Sequence, residues 1–268
     1  MGAELYISRA ALHMWEEPPI SGERGSGTVF FSGCSLGCVY CQNRQISRGV
    51  HGVAVSIDRL SEIMLELQDK GAHNINLVTP THFTPSIAKA IDIARDRGLS
   101  LPIVYNTGGY DSVRALEIMQ GRVDVYLPDL KYYRAQTGMR LSGVPDYPTV
   151  ARNAIAEMYR QVGPAVTQDG IMKRGVIVRL LLLPGHVAEA KLNLSYLYRT
   201  YGDNIYISLM NQYTPMLGMN APLDRPPSVS EYRELVDHAC SLGITRAFVQ
   251  EGTAQSDSFI PPFDLTGV

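Results

Sequence analysis

The sequence predicts an α/β protein, a partial (β/α)6 TIM-like barrel, on three observations. Short apolar runs alternate with amphipathic stretches of helical period from residue 27 to about residue 250. The apolar runs are not interrupted by polar residues at every second position, as expected of parallel strands that helices cover on both faces. The alternation repeats as six strand–helix units plus a short seventh strand, with no sign of a doubled domain, which favours one barrel-type sheet. A chain of 268 residues with 45% hydrophobic and 19% charged residues can bury the core such a sheet needs.

The elements follow in order. GTVFFSG, residues 27–33, is the first buried strand. Residues 58–70 place Leu60, Ile63, Met64 and Leu67 on one helical face. NINLVTP (74–80) is the second strand and residues 85–97 the next helix. PIVYNTGG (102–109) and VDVYLPDLK (123–131) are the third and fourth strands, with a helix over 111–120 between them and another over 150–161 after. GVIVRLLLLPG (175–185) and NIYISLMNQY (204–213) are the fifth and sixth strands, separated by a helix over 187–201. A helix over 230–242 and the short strand RAFVQE (246–251) complete the barrel. Residues 1–26 form a lead-in segment, 27–252 the barrel, and 253–268 an irregular tail over the barrel's open side or bottom.

Composition narrows the function classes. A net charge of −2 offers no basic field for nucleic acid and no acidic docking arm. No apolar run approaches the roughly 18 residues of a membrane span, and the first residues lack a secretory signal pattern. The expected location is the cytoplasm. The four cysteines agree, because they are not spread in pairs as in a disulfide scaffold. Cys240 lies in a helical stretch with Leu235, Val236 and Ala239 and is expected to be a small buried core residue.

In a barrel of this kind the chemistry sits on the loops that follow the strands. The loop after the first strand, SGCSLGCVYC, carries Cys34, Cys38 and Cys41 in a Cys-x3-Cys-x2-Cys pattern. Structural zinc takes four closed ligands, usually as two pairs, and no second pair is present; His51 is the nearest candidate for a fourth. An iron–sulfur cubane usually takes one cysteine per iron, so three cysteines leave one iron open for another ligand. The iron–sulfur expectation is the stronger; a zinc-stabilised, non-enzymatic binding module is the alternative. The stretch SGERGSGT has phosphate-loop glycine spacing but lacks the lysine and precedes a strand, so it is not a phosphate loop. Its glycines are expected to let backbone approach the cysteine loop's ligands closely.

CSLGCVYC, with aromatic Tyr40 before the third cysteine, resembles the signature of radical S-adenosylmethionine (SAM) enzymes. The resemblance implies a [4Fe-4S] cluster on Cys34, Cys38 and Cys41, with SAM on the open iron. It also implies reductive cleavage of SAM to a 5'-deoxyadenosyl radical that abstracts a substrate hydrogen. CVYCQNR is further similar to the activating enzymes of glycyl radical enzymes, such as pyruvate formate-lyase activase. The block EEPPISGERGSGTVFFSGCSLGCVYCQNRQIS with VTPTHFTP resembles an activase-like branch, and the likeness runs from about His13 to Tyr213. It implies a glycyl radical enzyme as protein substrate and a flavodoxin- or ferredoxin-type electron donor. A stand-alone enzyme modifying a small molecule or peptide is the alternative. That branch carries extra N-terminal cysteines, so the chain is expected to be a short or truncated form.

The same resemblance assigns SAM contacts. Where the activases have Gly-Gly-Glu, this chain has Thr79-Pro80-Thr81-His82, which makes Thr79 and Thr81 candidates for the SAM amino group. Asn106 stands where the family has an aspartate of a monovalent-cation site. Asp129 and Lys131 match an Asp-Leu-Lys element; alternation turns both the same way, Asp129 toward ribose hydroxyls or the ammonium and Lys131 toward the carboxylate. Arg179, before Leu-Pro-Gly, would face the SAM carboxylate as a bidentate fork. Asn211 or Gln212 would lie at the adenine. His186 sits on the rim, while His13, His73 and His238 are expected to be ordinary surface or packing residues.

Overall fold

The computed structural model describes residues 4–49, 51–250 and 260–268. The chain opens with strand β1 (Leu5–His13), the short helix α1 (Pro18–Ser21) and β2 (Ser26–Phe31). Helix α2 (Arg44–Ser47), β3 (Val53–Val55), α3 (Ile57–Asp69) and β4 (Ile75–Val78) follow. Next come α4 (Thr84–Asp96), β5 (Ile103–Thr107), α5 (Val113–Met119), β6 (Val125–Pro128), α6 (Ala135–Ser142) and α7 (Tyr147–Val162). The last elements are β7 (Val166–Gln168), β8 (Ile171–Leu181), α8 (Val187–Tyr201), β9 (Tyr206–Met210), α9 (Val229–Leu242) and β10 (Ala247–Val249).

Strands β2, β4, β5, β6, β8, β9 and β10 run parallel, in that order, as a barrel that does not close. The central strands are buried on both faces, which explains their uninterrupted apolar sequences. The outward face packs under the helices, with Leu60, Met64, Ile87, Ile91, Tyr105 and Tyr126 in one continuous core. A smaller cluster, Val104, Val125, Leu127 and Ile177, fills the interior, and Ile20 of α1 joins it. Helix termini follow their sequence signals. Ser56 and Ser112 cap α3 and α5, and Ser228 with Glu231 forms a full capping box on α9.

Three strands were not legible in the sequence. β1 pairs antiparallel with β2, so residues 5–13 belong to the sheet rather than to a mere lead-in. β3 adds antiparallel to β1, and β7 forms a hairpin with the start of β8. Beyond β3 the tail takes over that edge. Leu265 donates its backbone N–H to Ser8, Ala10 donates to Thr266, and Arg9 pairs with Asp264 at 2.6 Å. Phe263 inserts between Phe30, Ile46 and Val78. Residues 251–259, the end of the expected last strand and barrel and the first part of the expected tail, lie outside the described residues.

Two sequence expectations are corrected. Cys240 is exposed. The buried stripe of α9 is Tyr232, Leu235 and Ala239, and Cys240 lies one helical step past Ala239, off that stripe. The glycines of SGERGSGT do not serve the cysteine loop. They sit at the opposite end of β2, where a Cβ on Gly22, itself at φ +48, would meet the His73 ring at 2.7 Å. No helix among the described residues is long and apolar enough to cross a membrane.

Candidate active site

The loop from Gly33 to Gln42 leaves the C-terminal end of β2 and crosses the barrel mouth, as expected for chemistry in this fold. Its thiols are partly supported by the protein. Leu36 donates its backbone N–H to Cys34 Sγ at 3.4 Å, and Cys41 Sγ lies 3.4 Å from Ser47 Oγ. Cys38 is the most enclosed, and the Ser142 hydroxyl donates to its Sγ at 2.9 Å. That donation fixes the direction of a buried chain. Tyr132 must donate to Ser142 (2.5 Å) and Tyr40 to Tyr132 (2.7 Å), since each hydroxyl has one hydrogen. Burial pushes the Cys34 thiol up to about 11, so a metal or cluster, not solvent, would have to draw off its proton.

Below the loop a cavity of about 210 Å³ opens into the barrel. Cys34, Cys38, Thr79, Asn106, Asp129, Lys131, Arg179 and Gln212 all line it. An adjoining cavity of about 200 Å³ adds Tyr40 and Cys41 and shares Asp129, Lys131 and Arg179. The fold therefore brings together residues drawn from six different strand ends or loops.

The charges in this cavity are paired. Asp129 accepts from Lys131 Nζ at 2.6 Å and from Arg179 Nε at 2.8 Å. Burial alone would raise its carboxyl, but the Arg179 and Lys131 charges overcome that and hold it below the usual range. Burial opposes the charge of Lys131 too, and Asp129 reverses the effect and raises it. Arg179 also donates from Nη2 to Asn106 Oδ1 at 2.6 Å and reaches Glu16 Oε2 at 3.5 Å. Asn106 and Asn76 both donate to Glu16 Oε1, at 3.2 and 3.0 Å. Asn106 is thus a brace between Arg179 and Glu16.

Thr79 holds φ +59, the left-handed region that a β-branched residue rarely adopts, immediately after β4. Such a conformation costs on the order of 1 kcal/mol or more and is typically retained where it places a functional group. Thr81 does not line either cavity. Its hydroxyl donates to Asp111 Oδ1 at 2.7 Å, in company with Tyr105 (3.0 Å) and Thr107 on Oδ2 (2.6 Å). Three hydroxyls on one buried carboxylate tie the loops after β4 and β5 together. Gly109, at φ +81, lies so close under the Asp129 carbonyl that a Cβ there would collide with it.

His51 is engaged away from the thiols, with Gln45 Nε2 at 3.0 Å and the Phe263 carbonyl at 2.9 Å, so it does not stand as a fourth ligand. Among the described residues no three His, Cys, Asp or Glu side chains converge tightly enough to grip a single ion. His186 bonds Arg140 at 2.8 Å and the Pro184 carbonyl, and Asn211 is buried with no partner for its Oδ1 among the described residues. Gln212 accepts on its carbonyl from Gln42 at 2.9 Å, linking the cysteine loop to the end of β9.

Glu16 and Glu17 were missed by the sequence as site residues, although both precede the Pro-Pro start of α1. The polar residues Asn76 and Asn106 inside otherwise apolar strands were the available signal, since a buried amide needs a partner. Glu17 is only 8% exposed, and its Oε2 makes no hydrogen bond among the described residues. Burial pushes its carboxyl up to about 7, despite Arg179 nearby. A raised folded value means the folded state keeps a proton that the unfolded chain gives up between 4.5 and about 7. The resulting stability is complete below pH 4.5 and lost as pH rises through about 7. Glu17→Gln is therefore expected to match the parent's stability in acid and to exceed it at pH 8. At about 1.4 kcal/mol per unit the gain is on the order of 3 kcal/mol, several degrees in melting temperature.

An unclosed parallel barrel with three thiols on its first loop and a charged cavity beneath has the layout of a cofactor-binding barrel. The family model described as the Radical SAM superfamily matches residues 28–186, and the chain belongs to that superfamily. The family uses a [4Fe-4S] cluster and SAM. The chain is 30% identical over 222 residues to the uncharacterized protein MJ0674 of Methanocaldococcus jannaschii, covering 79% of this chain and 60% of that protein. Its fold is similar to Streptococcus suis SuiB bound to S-adenosylmethionine, with TM-score 0.56 at 14% identity, over 83% of this chain and 50% of that one. It is also similar to HydG, a maturase of the [FeFe]-hydrogenase, with TM-score 0.54 at 16% identity, over 80% and 48% of the two chains. The chain thus spans about half to three fifths of the length of these proteins.

The site's donor set fits both cofactors. Three thiols suit iron–sulfur ligation. The adjoining cavity offers cations for a carboxylate, and a carboxylate and hydroxyl for an ammonium or ribose.

Proposed function

We propose that Cys34, Cys38 and Cys41 hold the cluster and that the cavity beneath holds SAM. The supporting observation is the shared lining: thiols from the loop after β2 and the Thr79, Asp129, Lys131, Arg179 and Gln212 side chains face one space. Lys131 suits the SAM carboxylate, because its Nζ has one partner in Asp129 and two hydrogens left. Arg179 is more fully engaged, so its part is to hold Asp129 and Asn106 in place while one N–H on each Nη stays available. Asp129 and Thr79 suit the ammonium or ribose hydroxyls. Ser142 orients the Cys38 sulfur and, as a hydrogen bond to a ligating sulfur does, helps set the potential. When bound, cluster and SAM supply a carbon radical that takes a hydrogen atom from the substrate.

For the substrate, the CVYCQNR run supports activation of a glycyl radical enzyme, by removal of hydrogen from a backbone glycine. A specific observation favours the second reading, a stand-alone enzyme acting on a small molecule or peptide. Ile260 and Pro261 line the first cavity, while a second, larger cavity of about 450 Å³ lies beside Arg179. Mixing the reduced, SAM-loaded protein with a glycyl radical enzyme encoded beside it should give a doublet by electron paramagnetic resonance if the first reading holds. No doublet, with SAM still cleaved, selects the second.

A further inference from the structure

The second cavity lies where the segment Met14–Pro18 meets strands β9 and β10, at the open seam of the barrel. It shares Trp15, Glu16, Arg179 and Gln212 with the first cavity, so the two spaces adjoin at those residues. Its remaining wall mixes apolar Met14, Met210, Phe248 and Val249 with polar Ser208 and Gln250. Glu17 lines it too and is the one buried acid of this region whose oxygen lacks a partner among the described residues.

The balance of charge explains why Glu17 is left over. Three acids, Glu16, Glu17 and Asp129, face two bases, Lys131 and Arg179. Asp129 takes Lys131 and the Nε of Arg179, and Glu16 takes two amides and the far edge of the same guanidinium. Arg179 also acts on Glu17 through its charge, but its hydrogen bonds go to Asp129, Asn106 and Glu16, and none reaches Glu17 Oε2. Burying an unpaired carboxyl is expensive, and a fold keeps one where a ligand completes it. Residues 251–259, EGTAQSDSF, contain no Lys, Arg or His.

We infer that the second cavity is the substrate site and that it takes a molecule with a protonated amine on an apolar body. The ammonium group would draw the Glu17 carboxyl, whose Oε2 is sealed in this structure, round into the cavity and donate to it beside Ser208, and the body would lie along Met210 and Phe248. Arg179 and Gln212 then stand between the substrate and the first cavity, at the distance of one side-chain layer. The assignment deepens the reading of the chain as a radical SAM enzyme acting on a small molecule or peptide, and rests on it.

The test uses the anaerobically reconstituted full chain at pH 8, with hexylamine, hexanol and hexanoate as probes in calorimetric titration. The expected result is binding of hexylamine at least about tenfold tighter than hexanol, and no binding of hexanoate, since only the amine makes a charge-assisted bond. Glu17→Gln is expected to bring hexylamine down to the level of hexanol, while Glu17→Asp keeps part of the preference. Equal binding of the three probes by the unaltered chain overturns the inference, whether or not the variants fold. So does an amine preference that survives in Glu17→Gln. SAM cleavage without any probe is scored separately. Cleavage without amine preference sinks this inference alone; amine preference without cleavage sinks the radical SAM reading of the site.

Discussion

Cys38→Ala is expected to lose roughly a quarter or more of the iron that an intact chain takes up, about four per chain, and to cleave no detectable SAM. The cubane would lose one of its three protein ligands, and the one it loses is the best enclosed. Cys38 is buried against Tyr132 and Ser142, and its sulfur is the end point of the Tyr40–Tyr132–Ser142 hydrogen-bond chain. Cys240→Ala is the matched control. That thiol is exposed on α9, remote in the fold from the loop, so iron and activity should stay at parent levels. Iron and sulfide analysis after identical anaerobic reconstitution reads both. Equal iron in Cys38→Ala and the parent would remove the cluster from this loop.

Arg179→Met should destabilise the apoprotein by about 3 to 5 kcal/mol, read as a lower urea midpoint. The substitution keeps most of the volume, so a packing defect is not the cause. It leaves Glu16 and Glu17 buried with no cation, and Asp129 with Lys131 alone. The Asn106 carbonyl also loses its donor at 2.6 Å. The double variant Arg179→Met with Glu16→Gln should recover part of the loss, because the two sites share one network and their effects will not add. A loss below about 1 kcal/mol would mean that water already solvates this network.

The fold was legible wherever burial on both faces wrote itself into uninterrupted apolar runs, from β2 through β9. It was not legible at β1, β3 and β7. These edges pair antiparallel, and their sides mix buried and exposed positions, as in LYISRAALH of β1 and the exposed VTQ of β7. The cysteine loop stood out by its spacing at a strand end, and Asp129, Lys131 and Arg179 were singled out by a resemblance to family motifs at strand ends. Thr81 could not be separated from Thr79 by sequence. Only the turn after β4 shows that one hydroxyl goes to Asp111 while the other faces the cavity. Glu16 and Glu17 were hidden for a different reason. Their role depends on a segment outside the strand–helix repeat folding back into the barrel, and no local pattern encodes that return. Cys240 failed because a helical stripe read from four residues is uncertain by one step, and one step takes a side chain from the core to the surface.

The most direct measurement is the release of 5'-deoxyadenosine by the reconstituted chain given SAM and a strong reductant under anaerobic conditions. A brown protein with about four irons and four sulfides that releases 5'-deoxyadenosine, and stops doing so in Cys38→Ala, is the predicted result. A colourless protein holding one zinc, or a fully loaded cluster that leaves SAM intact, would contradict the assignment of this barrel mouth.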